Sequence, residues 1–407
     1  MLLFSALVGV QLVSLVRANM IFIPPILHIY INSDGSIEPS TVPIQRVGNV
    51  YTFMSNLTNS TITVQRDNIV IDGRGFNIST EAVRSHTGIT VSDRSNVTIK
   101  NVCINQFGVG ILLFNSSNSI VTGNRINSIN CVYLLMFSSH NQITGNRMLG
   151  DGYGVKGDGS FNNITGNNFV TPYSVEISCN NTIISQNYFE NDRSIRLGDT
   201  SHYNIITENT MVGGLYGVIL SGSSSNNLVF GNNITSKDEC GIKIEGSFDN
   251  TVYENHLANN EIGVYIFNPA IPDSRFSYST NNTFYHNNFV LNTKNFHIAG
   301  GSSPNFWDNG EEGNYWSNYT GADLNGDSIG DTPHVIDTNN ADRYPLMNRV
   351  EISDPEIPDV IPEFPSWTTM PLVLAVFTVA VTIYKRRLRK LRNKKRMSCK
   401  HELLEKK

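Results

Sequence analysis

Short runs of alternating apolar and polar residues dominate the chain from Thr61 onward. They are bounded by Gly, Asn and Asp, as in NIVIDGRGFNI and GITVSDRSNVTIKNVCI. Alternation of β-branched residues between turn-forming residues is typical of short strands. No part of this region has helical periodicity, so the pattern predicts an all-β domain.

One phrase recurs throughout this domain, with forms such as NSIVTGN, NQITGN, NNITGN and NIITEN. Its closing asparagines are Asn101, Asn124, Asn146, Asn167, Asn187, Asn209, Asn232, Asn255 and Asn287. They are 20 to 23 residues apart, except for a last interval of 32 that includes the 268–280 insertion. Such a period indicates one repeated supersecondary unit, with the insertion as a loop on one side.

Each repeat contains a second apolar stretch, in which a small residue precedes an apolar–x–apolar triplet, as in GILL, SVEI and GIKI. Two strands with their turns make a coil that cannot bury its apolar face alone. Stacking successive coils pairs every strand and closes a shared core. The sequence therefore predicts a right-handed, single-stranded parallel β-helix over residues 61–300, preceded by an N-terminal cap at 19–60.

The recurring asparagine is predicted to be structural. Asn tolerates the left-handed backbone conformation that sharp corners need, and stacked amides can hydrogen-bond along the axis.

Cys103 lies two residues after its closing asparagine, where other repeats have Ile126 or Met148. We therefore expect its thiol to be a small buried apolar group.

The two ends of the chain predict export and anchoring. Residues 1–18 have the apolar pattern of a signal peptide, with an N-terminal membrane anchor as the alternative. An Asp- and aromatic-rich cap at 301–350 and an acidic, proline-spaced linker at 351–366 follow the repeats. The uncharged segment 367–384 then precedes a basic tail at 385–407, which predicts a single-pass transmembrane helix with its C-terminus in the cytoplasm. The predicted location is the cell membrane, with the ectodomain outside.

Net charge is distributed unevenly along the chain. The basic tail holds 12 of the 30 Lys and Arg residues, and 33 of the 35 acidic residues precede it, so residues 1–384 carry a formal charge of about −15. This balance argues against nucleic acid as a partner.

Sequons for N-glycosylation all precede the predicted helix: Asn56, Asn59, Asn77, Asn96, Asn115, Asn163, Asn180, Asn233, Asn281 and Asn318.

A candidate ligand-binding surface follows from the second strand of each coil. Its middle residue should face outward, which stacks a column on successive coils. The candidate ligand-binding residues in that column are Tyr133, Lys156, Glu176, Arg196, Lys243 and Tyr265. Tyrosines can stack on sugar rings, and charged groups can bind hydroxyls. The alternative is that opposite charges were placed there to stabilise the sheet.

A candidate calcium site lies in the C-terminal cap. Asp323, Asn325, Asp327, Ile329 and Asp331 alternate along the chain, with Ile329 offering a backbone carbonyl, as at the start of an EF-hand loop. The match is partial because Gly326 is at position four and His334 replaces the final Glu. A plain Asp/Asn turn is the alternative.

The asparagine-ended coils, the NIVIDGRGF opening and the NYWSNYTG–DLNGDSIGDTP ending resemble the NosD-like family of parallel β-helix proteins. This family belongs to the carbohydrate-binding and sugar-hydrolase group with the pectin-lyase-like fold. The PEFPSW segment is similar to the C-terminal anchors of archaeal surface proteins. The resemblance implies an exported β-helix and offers copper processing or polysaccharide binding as functions.

Three functions follow from these observations. The first is a cell-surface protein that binds envelope glycans or has a structural role. The second is a polysaccharide hydrolase or lyase, which acids such as Glu254, Glu261 and Asp273 converging at the insertion would favour. The third is copper processing, although the histidines are scattered and Met148 and Met211 occupy predicted core positions.

Overall fold

In the computed structural model, the described residues are 25–81, 85–190, 193–268, 277–301 and 303–352. The predicted signal peptide, transmembrane helix and basic tail lie outside them, as do linker residues 353–366. The described part of the chain consists of β-strands and turns. No helix in it is long and apolar enough to cross a membrane.

The strands form three long sheets that wrap around one core. Sheet A contains, in spatial order, β2 (Ile37–Glu38), β1 (Leu27–Ile31), β5 (Ser60–Val64), β8 (Thr87–Ser92), β11 (Val109–Phe114), β14 (Asn130–Leu135), β17 (Tyr153–Asp158), β20 (Tyr173–Ser178), β23 (Arg193–Leu197), β26 (Tyr216–Ser221), β29 (Cys240–Glu245), β32 (Ile262–Phe267) and β35 (Lys294–Ala299). Sheet B contains β3 (Ile44–Val47), β4 (Val50–Phe53), β6 (Ile69–Asp72), β9 (Val97–Lys100), β12 (Ile120–Thr122), β15 (Gln142–Thr144), β18 (Asn163–Thr165), β21 (Ile183–Ser185), β24 (Ile205–Thr207), β27 (Leu228–Phe230), β30 (Thr251–Tyr253) and β33 (Thr283–Tyr285). Sheet C contains β36 (Tyr315–Trp316), β34 (Asn288–Val290), β31 (His256–Ala258), β28 (Asn233–Thr235), β25 (Thr210–Val212), β22 (Tyr188–Glu190), β19 (Asn168–Val170), β16 (Arg147–Leu149), β13 (Arg125–Asn127), β10 (Cys103–Asn105) and β7 (Asn77–Ser79). A separate two-stranded sheet consists of β37 (His334–Val335) and β38 (Ala341–Asp342).

The predicted parallel β-helix is confirmed, but each coil has three strands rather than two. The third strand follows the closing asparagine and is three residues long in most coils. Only its middle residue points into the core, as Ile126, Met148 and Phe169 do. A stretch this short carries too little alternation to be recognised as a strand.

The core forms because the pairing register keeps like residues in line. Val121, Ile143, Ile164 and Ile184 are successive partners in sheet B, and all four are fully buried. With strands about 4.8 Å apart, each inward side chain packs on the equivalent one in the next coil. Parallel stacking begins already at β1 and β4, within the segment expected to be the N-terminal cap.

The asparagine ladder is present and is fully buried along most of its length. Asn209 Oδ1 accepts the backbone N–H and the side-chain amide of Asn187, both at 3.0 Å. Its own amide donates to Asn232 Oδ1 and to the Ile184 carbonyl. The same bonds repeat from Asn124 to Asn314.

The predicted left-handed conformation of the closing asparagines is wrong for all but the first of them, Asn101. The residue before each one has positive φ instead, as in Gly145, Gly166 and Glu208. The closing asparagine thus stays free to direct its amide along the axis.

Cys103 is also placed differently from its prediction, because Val102 takes the ladder position in that coil. Cys103 therefore pairs with Arg125 on the outer surface and is half-buried, while Ile104 pairs with Ile126 in the core.

Residues near 303–346 close the far end of the core. Trp307 stacks on Phe284 and Trp316 on Phe289, with ring centroids 4.5 and 4.2 Å apart. Asp342 ends the asparagine ladder by accepting the backbone N–H of Asn314 at 2.7 Å.

Candidate functional site

The predicted outward column lies on sheet A in the expected register. Tyr133, Lys156, Glu176 and Arg196 are successive partners in neighbouring coils. Further along the axis, Lys243 pairs with Tyr265. His297, which was not predicted, continues the column by stacking on Tyr265 at 5.3 Å.

The charges in this column interact as a ladder. Glu176 Oε1 lies 3.8 Å from Lys156 Nζ and 3.7 Å from Arg196 Nη1. These are the sheet-supporting pairs that the alternative interpretation requires. Their side chains are nevertheless partly exposed, so they stay available to a ligand and contribute little to stability.

A shallow cleft of about 140 Å³ opens at the same place. Its charged walls are Lys156, Glu176, Arg196 and Asp199, and Ser178 adds a hydroxyl group. Two cations face two carboxylates, so the formal charge of the cleft is zero. Hydrogen-bond donors and acceptors are thus both present within one small volume.

Tyrosines border the cleft in a second column that sequence analysis missed. Tyr153, Tyr173, Arg193 and Tyr216 are successive partners on sheet A. Lys156 Nζ lies 3.8 Å from the Tyr153 ring centroid, and Arg193 lies between the rings of Tyr173 and Tyr216 at 5.1 and 5.7 Å. These residues open their strands, one position before the small residue at which the sequence pattern predicts the strand to start.

The protonation states of this face follow from its surroundings. Burial raises the pKa of Tyr133. Burial alone would lower the pKa of Lys156, but the hydrogen bond with Tyr153 and the charge of Glu176 outweigh it, so that pKa is raised. At neutral pH the lysine is therefore a cation and the tyrosine a neutral phenol, which suits them to binding rather than to accepting protons.

Next to the cleft, the corner between sheets A and B has bulky exposed side chains. We define the aromatic corner as Phe137, His140, Phe161 and Tyr203. All four have positive φ, between 58° and 61°. Phe137, Phe161 and Tyr203 are 77%, 52% and 61% exposed. His140 stacks on Phe161 with the ring centroids 4.9 Å apart.

The acids named for an enzyme are not brought together in the described residues. Glu254 lies at the corner between sheets B and C, and Glu261 precedes β32 at the corner between sheets C and A. Asp273 lies outside the described residues, as does most of the 268–280 insertion.

In the candidate calcium loop, carboxylate side chains accept hydrogen bonds from backbone N–H groups of the same loop. Asp323 accepts the backbone N–H groups of Gly326, Asp327 and Ser328, at 2.7 to 3.2 Å. Asp331 accepts that of Leu324 at 2.7 Å. Nowhere in the described parts of the chain do three or more His, Cys, Asp or Glu residues form a group able to hold a metal ion.

The sequons differ in accessibility. Half of them are exposed: Asn56, Asn96, Asn115, Asn281 and Asn318. The side chain of Asn59 is buried and donates to the Pro25 carbonyl, which leaves no space for a glycan there.

Comparison with known proteins identifies the family. Residues 33–201 and 175–321 match the family described as "Periplasmic copper-binding protein (NosD)", so the matches cover more than half of the chain. The protein belongs to the NosD family. No curated protein sequence matches the chain.

Solved structures that resemble this chain include an alginate epimerase. The periplasmic alginate epimerase AlgG has 15% identity and a TM-score of 0.52, with 69% of this chain and 82% of that chain covered. A single-substitution variant of AlgG has 16% identity, the same coverage and a TM-score of 0.53. DFA-IIIase from Arthrobacter chlorophenolicus A6 has 14% identity and a TM-score of 0.42, with 61% and 74% covered. The similarity to AlgG shows the fold and leaves the function open.

The copper in the family's description does not fit the donors in the described residues. Burial raises the pKa of Cys131, Cys179 and Cys240 to about 12, so these thiols stay protonated and are poor metal ligands. Two of the histidines have hydrogen-bond partners, since His202 bonds Ser225 and His286 bonds Glu312. We derive no copper chemistry from this site.

Proposed function

We propose that this NosD-family protein binds a glycan at the outer face of sheet A. The observation that carries the proposal is the cleft at Lys156, Glu176 and Arg196, with its tyrosine border. Carboxylates accept hydrogen bonds from sugar hydroxyls, cationic side chains donate them, and tyrosine rings pack on the apolar face of a pyranose. The zero formal charge of the cleft favours uncharged sugar units.

The fold supports this proposal. AlgG is an epimerase of alginate, so a parallel β-helix of this kind can accommodate a sugar polymer along its side. Coils about 4.8 Å apart offer successive sugars a repeating set of side chains. We also propose that the protein is exported and held at the membrane by residues 367–384, with the exposed sequons glycosylated.

Alanine at Lys156, Glu176 and Arg196 together is expected to weaken glycan binding at least about tenfold, because the donors and acceptors of the cleft are lost. Retention of the full-length protein in native gels that contain dextran, mannan, laminarin or alginate measures the effect. The control is Asp72→Ala with Lys100→Ala, which removes a surface ion pair of 3.3 Å on sheet B. Equal retention of wild type and the triple variant in every gel in which wild type is retarded would contradict the proposal.

We propose further that the 323–331 loop binds calcium, which remains a prediction from its alternating oxygen donors. Titrating the full-length protein with calcium in a calorimeter should release or absorb heat and raise the melting temperature. Asp323→Asn combined with Asp331→Asn should remove both effects. Absence of heat and of any melting shift in the wild type rejects the site.

A further inference from the structure

The aromatic corner combines exposure with an unfavourable backbone conformation. Left-handed φ suits Gly and Asn, whereas a bulky residue there is strained. Phe137, Phe161 and Tyr203 have this conformation, yet their rings lie largely in solvent. Strain of this kind persists where something other than stability has selected the residue.

The turn itself does not require these rings. Equivalent positions in other coils are Asn118, Asn181 and Asn226, with φ of 55°, 54° and 56°. The coils with Phe161 and Tyr203 thus carry an aromatic residue where the coils that follow them carry the better-suited asparagine, as Asn181 and Asn226. Phe137 is part of an additional short bulge, because Met136 and Phe137 stand where the preceding coil has Asn115 alone.

The aromatic corner continues the cleft. The backbone N–H of Phe137 donates to the Asp158 carboxylate at 2.8 Å, and Asp158 lies two residues after Lys156 on β17. Tyr203 follows Asp199, a cleft residue, by four positions. The polar cleft and the exposed rings therefore lie at the same end of the sheet A strands.

We propose that the aromatic corner is a sugar-stacking subsite that extends the glycan site in the cleft, with Phe161 as its central ring. This inference rests on the proposed function. The occupant is a pyranose unit of the bound chain whose apolar C–H face lies on the face of the Phe161 ring that His140 does not cover, while neighbouring units hydrogen-bond in the cleft. Ring faces attract such C–H groups and exclude water from them. The corner selects sugars by shape, whereas the cleft selects them by hydrogen bonding.

Phe161→Asn tests this subsite, because it installs the residue that the following coil has as Asn181 at the same backbone conformation. We expect the full-length variant to bind the polysaccharide that retards wild type about tenfold more weakly. Its melting temperature should be equal or about 2 °C higher, because the left-handed strain is relieved. Phe161→Tyr should keep the binding.

The matched control is Leu291→Asn. Leu291 is 72% exposed with φ of 51°, at a different corner, and the equivalent residue in the preceding coil is Asn259. This variant should gain the same stability and keep full retention in dextran, mannan, laminarin or alginate gels.

The outcomes separate the subsite from the proposed function. Unchanged retention of Phe161→Asn, with loss in the cleft variant, overturns the subsite and keeps the glycan site. Unchanged retention together with a change from dimer to monomer in sedimentation assigns the corner to self-association, which also overturns the subsite. If none of the four polysaccharides retards wild type, both proposals fall.

Discussion

Replacing Asn209 by Ala is expected to lower the free energy of unfolding by roughly 3–5 kcal/mol, the sum of several buried polar groups left unpaired. Asn209 Oδ1 accepts the backbone N–H and side-chain amide of Asn187 at 3.0 Å. Its amide donates to the Ile184 carbonyl at 2.9 Å and to Asn232 Oδ1 at 3.0 Å. Alanine supplies none of these bonds, and the site is closed to water. Urea denaturation of both proteins measures the difference.

Asn127→Ala is the control for this prediction. Asn127 is exposed at the end of β13, and its backbone carbonyl, rather than its side chain, bonds Gln106. Its substitution should change the free energy of unfolding by less than about 0.5 kcal/mol. Similar losses at Asn209 and Asn127 would mean that the buried ladder does not carry the stability.

The period of the repeats made the fold predictable, because stacking forces equivalent residues of each coil into register. For the same reason the sequence alone predicts that the column through Lys156, Glu176 and Arg196 lies on one face. The prediction of a buried Cys103 is wrong because the coil that contains Asn101 is offset by one residue. That offset moves Cys103 from the core to the surface. Periodicity constrains the register only where the phrase repeats faithfully.

The aromatic corner could not be found in the same way. Phe137, Phe161 and Tyr203 lie in turns, where the residue type changes from coil to coil and does not predict exposure. The structure alone shows that these rings are exposed and that Phe161 and Tyr203 share their positive φ with Asn118 and Asn181. The length of the insertion at 268–280 made it a candidate for a functional loop. The described candidate site instead lies on coils of ordinary length.

The stability of the protein should depend on the protonation of Asp342, the carboxyl group that ends the asparagine ladder. Burial raises the pKa of this carboxyl from 3.8 to about 6, although Asn314, Trp316 and Tyr344 all donate hydrogen bonds to it. The folded state therefore holds a proton between pH 4 and 6 that the unfolded state has lost. The stabilisation is complete below about pH 4 and is lost as pH rises through 6, by roughly 3 kcal/mol. Asp342→Asn should remove this slope when melting temperatures of the two proteins are compared across that range.

Asp308 provides an internal control of opposite sign in the same cap. Burial would raise the pKa of this carboxyl, but hydrogen bonds from Arg343, including one of 2.6 Å from Nη2, outweigh it and the pKa is lowered. Its contribution is present above about pH 4 and is lost as the pH falls below that value. Asp308→Asn should therefore weaken the protein at pH 7 and converge on wild type in acid. Asp342→Asn should therefore change the slope of stability between pH 4 and 6, whereas Asp308→Asn should change the slope only below about pH 4. Equal slopes between pH 4 and 6 in both variants would show that the cap does not titrate through Asp342.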